Sequence, residues 1–202
     1  RAGGVPMAVA APTTGFQASR LATPLFSATI GLSAFLLFAV QPLFARLALP
    51  ILGGSPAVWS VATVFFQAAL FAGYAYAHGL ARLPVRTGLL VHLGFLALAS
   101  FFPVALSHGW GRPPEEGAAL WLMGLFTVSI GLPFGVLAAH GPLLQAWYGR
   151  GVRTGDPYGL YVASNLGSFG ALAAYPFVIE PVFTLTQQTG LWSVGFTLTV
   201  WI

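Results

Sequence analysis

The run from Asp156 to Pro181, DPYGLYVASNLGSFGALAAYPFVIEP, constrains the fold more than any other stretch. Asp156 can cap the first free N–H groups of a helix, and Pro157 suits the first helical position, where its missing N–H costs nothing. About 20 largely apolar residues follow, enough to cross a hydrocarbon core roughly 30 Å thick. Gly159, Ala163, Gly167 and Ala171 recur every fourth residue and form one stripe of small side chains. In lipid the hydrophobic effect does little to join helices, so such stripes matter because they let a second helix come close. Ser164, Asn165 and Ser168 put polar groups at mid-membrane depth, and Asn165 needs a partner there. Pro176 interrupts the hydrogen-bond ladder near the far end. These features predict a central helix, packed tightly through its stripe, with its polar groups turned into a bundle.

The rest of the chain fits a polytopic, all-α membrane bundle. Of 202 residues, 57% are hydrophobic and only 6% charged, against about 25% charged in soluble domains. Mean hydropathy is +0.82. The net charge of +4 comes from eight arginines scattered over loops, with no dense basic patch, so nucleic acid is not a partner. Cysteine is absent, which excludes disulfides and thiolate ligands. No cofactor motif occurs; the bilayer itself is the first partner, with other membrane subunits as further ones.

Residues 1–22 are rich in Ala, Gly, Pro and Thr and read as a mobile lead-in. The membrane domain occupies 23–202, with six expected spans. Thr23-Pro24 opens the first, from Leu25 to about Leu43, with a kink at Gln41-Pro42. Ser55-Pro56 opens the second, from Ala57 to about Ala77. The third covers Leu89 to about Leu106, and the fourth runs from Ala118 to about Ala139, broken around Pro133. The fifth is the helix above. The sixth, Leu191 to Ile202, has 12 residues, too few to cross, so the chain is expected to continue beyond Ile202.

Loop arginines set the orientation. Arg1, Arg20, Arg82, Arg86, Arg150 and Arg153 fall on one side and only Arg46 and Arg112 on the other. Six against two predicts a multi-pass inner-membrane protein with a cytoplasmic N-terminus. A weak internal repeat is also visible. Spans one and four each carry a proline, Pro42 and Pro133, and each is followed by a capped proline start, SPAVW or DPYGLY. With three spans between them the two units would be inverted, as in many transporters.

Two stretches carry a resemblance. AVQPLFARLALPILGGSPAVWSVATVFFQAALFAGYAYAH, residues 39–78, and DPYGLYVASNLGSFGALAAYPFVIEP resemble the membrane region of bacterial fused major-facilitator/spermidine synthase proteins. The likeness extends over most of residues 25–195. It implies a transporter-like half, followed in the family by a spermidine-synthase-like domain of Rossmann-type, methyltransferase-like fold, which in true aminopropyltransferases binds decarboxylated S-adenosylmethionine and a polyamine. This chain contains no glycine-rich loop between a strand and a helix and no acidic cluster for a polyamine. It is therefore expected to have no catalytic residues of its own.

Candidate sites are few. His78, His92 and His140 fall near the cytoplasmic ends of three spans and could hold a metal or a haem, or simply bond to headgroups, water and backbone. Gln41, Gln67 and Asn165 lie inside spans and either line a path or bond across helices. Arg46 and Glu180 follow the two proline kinks on the outer side and either pair or snorkel to water. Three functions stay open: a transporter-like module with a cavity at Gln41, Asn165, Pro42 and Pro133; a structural or accessory subunit of a larger membrane complex; and a histidine-ligated metal or haem protein.

Overall fold

The computed structural model describes residues 22–102, 104–151 and 158–201. Arg1, Arg20, Pro103, Arg153, Ile202, the Asp156-Pro157 cap and all of the expected lead-in but Ala22 lie outside the described residues. Six helices follow one another: α1 (Ala22–Leu52), α2 (Pro56–Ala81), α3 (Val85–Ser100), α4 (Ala118–Arg150), α5 (Tyr158–Val182) and α6 (Leu185–Trp201). No strand occurs among the described residues. Helices α1, α2, α4 and α5 are long and apolar enough to cross a membrane, whereas α3 is apolar but only 16 residues long.

Local chemistry explains most boundaries. The Ser55 side chain accepts from the Val58 N–H at 3.4 Å, with Pro56 at the helix start, so the expected cap forms. Several boundaries differ from expectation: α1 runs on to Leu52 rather than Leu43, and α4 to Arg150 rather than Ala139. The third helix starts at Val85 because Pro84, in an extended conformation, begins it, and it ends by Ser100 rather than Leu106. Beyond it, Gly109, Gly111 and Gly117 take positive φ, which suits a turning connection and not a helix. The sixth helix starts at Leu185, not Leu191. Thr184 and Gln187 make a capping box: the Thr184 N–H donates to Gln187 Oε1 at 2.9 Å, and the Gln187 N–H donates to Thr184 Oγ1 at 3.3 Å.

Proline does not break the long helices here. α1 continues as α-helix through Pro42 and Pro50. α4 passes Pro133 without interruption, widening into a π turn over Thr127–Gly131, and α5 does the same over Tyr175–Ile179 around Pro176. A proline cannot donate to the carbonyl four residues back, and its ring crowds that carbonyl. One widened turn relieves the clash while keeping the ladder on either side.

The expected centre was the wrong helix. In the most apolar stretch of α4, 61% of residues are buried; in that of α5 only 11% are. α4 touches α1, α2 and α3, whereas α5 lies on the flank and packs mainly against α1. The core between α1, α2 and α4 is aromatic. The ring of Phe126, fully buried, meets Phe44 at 5.1 Å and Phe65 at 5.5 Å, both edge-on.

The small stripe of α5 is used over part of its length. Gly31 of α1 comes so close that a Cβ added at Gly167 would collide with the Gly31 carbonyl, and one added at Gly31 would meet the Ala163 carbonyl at 3.4 Å. Ala171 is fully buried. Gly159 faces open space, while Leu160 beside it still packs on Ile30 of α1.

Candidate functional site: a polar cavity and a buried histidine pair

A cavity of about 230 Å³ opens between α1, α2, α4 and α5. Its lining includes Ser33, Tyr74, Ser164, Asn165 and Ser168 beside apolar residues, and it is the polar exception among the larger cavities, whose walls are mainly aliphatic and aromatic. The Ser33 hydroxyl donates to the Ile30 carbonyl and the Ser168 hydroxyl to the Ser164 carbonyl, both at 2.9 Å. With their protons spent inside their own helices, these hydroxyls keep only acceptor capacity.

Two prolines add acceptors. Pro42 removes the usual donor to the Phe38 carbonyl, and Pro142 removes that of Ala138; both residues line the cavity. Asn165 stands at the wall, and its amide makes no hydrogen bond to another described residue. The lining is thus uncharged and rich in acceptors, and its side chains with donors to spare are those of Tyr74, Ser164 and Asn165. No carboxylate lines it.

The cavity takes in Asn165 but not the other residues expected with it. Gln41 Nε2 donates back to the Leu37 carbonyl of its own helix at 3.3 Å, Gln67 lies on an exposed face of α2, and neither Pro42 nor Pro133 lines the space. The proline that does line it is Pro142, which a reading of spans placed beyond the fourth one. Arg46 and Glu180 meet across α1 and α5.

The three histidines separate into a pair and a single. His92 of α3 and His140 of α4, 1% and 4% exposed, stack at 5.2 Å between ring centroids. His92 Nε2 lies 2.9 Å from His140 Nδ1, and His92 Nδ1 lies 3.5 Å from the Tyr76 hydroxyl. The edge of Trp147 closes the pocket, 6.1 Å from His92 between centroids. His78, by contrast, is exposed at the end of α2 and pairs with Arg82 at 2.9 Å. It points away because four residues along a helix return it to the Arg82 side. No group of three metal-ligating side chains forms among the described residues. Two imidazoles already bonded to each other do not supply the closed ligand set of a structural metal. Span positions in the sequence place all three histidines at one depth; only the rotation of each helix tells which of them meet.

No family model, no curated protein and no solved structure matches the chain. The likeness of residues 39–78 and of the fifth helix to fused major-facilitator/spermidine synthase proteins stands on those motifs alone.

Proposed function

We propose that the chain is a transporter-like module of the bacterial inner membrane that holds a small uncharged polar solute in the cavity at Asn165. The observation that carries this reading is the cavity itself. Ser33, Tyr74, Ser164, Asn165 and Ser168 share one lining in an otherwise apolar bundle, beside Phe38 and Ala138, whose carbonyls lack their usual helical donors. Polar groups at such depth are costly and mark solute paths. Carbonyls freed where helices are disturbed are a recurring device of transporter sites. A volume of about 230 Å³ lies below the roughly 300–1,000 Å³ of pockets for drug-sized ligands, which points to a smaller solute.

All six helices cross the bilayer in this reading, α3 and α6 near the lower length limit of about 17 residues. The N-terminus is cytoplasmic, so that six arginines lie inside and two outside. A polyamine, the cargo suggested by the family likeness, fits less well. Its ammonium groups would need a carboxylate, and the one acid in a span, Glu180, is engaged by Arg46. Aminopropyl transfer would have to reside in another domain.

The test is osmotic swelling of proteoliposomes in urea or glycerol, run beside uptake of labelled spermidine. Faster swelling than empty vesicles in one of the neutral solutes, lost in Asn165→Leu, supports the reading. Swelling no faster than that of empty vesicles in either solute removes it, and spermidine uptake restores the polyamine alternative.

A second reading, an accessory subunit of a membrane complex, is favoured by the bare outer face of α5. Tyr161, Leu166, Phe169 and Phe177 all stand exposed there. Native mass spectrometry of gently solubilised membranes decides it. A stoichiometric foreign chain supports this reading, and a chain that migrates alone opposes it.

A further inference from the structure

The buried histidine pair has a use that packing alone does not require. Tyr76, His92 and His140 come from three different helices and form one line of alternating groups: hydroxyl, imidazole, imidazole. Each imidazole has one nitrogen toward each neighbour. His140 ends the line, and its Nε2 is buried without a hydrogen-bond partner among the described residues. Trp147 Nε1, in the same pocket, is also buried and unbonded. Burying two such groups without partners costs stability. A core position filled for packing would be better served by an aliphatic side chain.

We propose that Tyr76, His92 and His140 form a proton relay through the bundle. The relay is independent of what the polar cavity holds. In one arrangement the Tyr76 O–H donates to His92 Nδ1, the His92 Nε2–H donates to His140 Nδ1, and the His140 Nε2–H points onward. When Tyr76 passes its proton to His92 Nδ1, the His92 Nε2 proton moves to His140 Nδ1. The His140 Nε2 proton then leaves to a water molecule, and the Tyr76 oxygen takes a new proton from its open side. One proton enters and one leaves. Both imidazoles end as neutral opposite tautomers, so no net charge is left in a low-dielectric pocket, where charge is expensive. Rotation of the hydroxyl and the rings resets the line.

The surroundings suit such a path. Tyr76 is half-buried and lines a separate open cavity of about 200 Å³ bounded by α2, α3 and the π turn of α4. At the other end His140 Nε2 is buried, and His140 lines neither this cavity nor the polar one. From the packed elements, Tyr76 of α2 and His140 of α4 are the titratable groups in contact with His92. Among the described residues, no arginine or carboxylate makes a hydrogen bond or ion pair with any of the three. The Tyr76 contact of 3.5 Å is at the outer edge of hydrogen-bond range; hydrogen bonds that act only during proton transfer are often long at rest.

The experiment uses the 202-residue chain in proteoliposomes containing a trapped pH dye, with a potassium diffusion potential, negative inside, and no added solute. The wild type should acidify the lumen faster than empty vesicles. Tyr76→Phe, which removes one oxygen from a half-buried side chain, should lower that flux by about tenfold or more at an unchanged melting temperature. Flux no faster than empty vesicles, or wild-type flux in Tyr76→Phe, overturns the proposal. If the variant fails to fold, nitrogen NMR of the histidine-labelled wild type decides. A through-bond coupling between His92 and His140 supports the relay, and its absence overturns it.

Discussion

Arg46 Nη1 lies 3.3 Å from Glu180 Oε1, joining α1 to α5 just beyond Pro42 and Pro176. The two side chains keep 35% and 45% of their exposure, so each head group can pair and still reach water or lipid head groups. That partial wetting limits the value of the pair to about 1 kcal/mol or less. It also gives α1 and α5 a polar clasp far from the Gly31–Gly167 contact. We expect Arg46→Glu and Glu180→Arg each to lower the melting temperature and the double swap to recover most of the loss. Additive damage in the double-mutant cycle would show the pair to be uncoupled.

Gly167 and Gly159 belong to one stripe but should behave differently. A Cβ at Gly167 collides with the Gly31 carbonyl, a backbone atom that cannot swing aside, while one at Gly159 meets nothing within 4 Å. Gly167→Ala should cost about 1–3 kcal/mol, as overpacking does. Gly159→Ala should be neutral or slightly stabilising, as glycine is a poor helix former. Thermal unfolding in detergent reads both; equal effects at the two sites would contradict the described packing.

Phe126 is the centre of the aromatic core, fully buried and in ring contact with Phe44, Phe65 and Phe66. Phe126→Ala should destabilise by about 3–5 kcal/mol, the range for emptying a large buried site. Phe126→Leu should cost much less. Proteolysis rates of the two variants, measured against wild type, order them directly.

Gln188 staples the α5–α6 connection. It is 3% exposed, accepts from the Tyr175 hydroxyl at 3.0 Å and donates to the Phe183 carbonyl at 2.7 Å. Gln188→Leu removes both bonds and should cost about 1–3 kcal/mol. Combining it with Tyr175→Phe should cost less than the sum, because both changes remove the same bond. A strictly additive result would mean that the bond contributes nothing.

Amino-acid order alone settled what depends on neighbours along the chain. Long runs without charge make apolar helices, because an unbonded backbone cannot sit in lipid. Ser55-Pro56 marks a start, since a cap and a proline act over one turn. The Thr184/Gln187 box is equally local: both of its bonds close within one turn, six residues ahead of the glycine at 190. Glycine spacing located the α1–α5 contact at Gly167 without naming Gly31 as its partner. Tertiary structure decided which faces meet. Membrane helices are apolar all round, so periodicity does not separate a face turned to lipid from one turned to a neighbour. That is why α5, with its small stripe, looked central while α4 holds the core. It is also why His92 finds His140, 48 residues away, while His78 finds only Arg82 one turn along its own helix. The rotation of each helix about its axis is fixed by the packing of all the others, and no single stretch of the chain carries it.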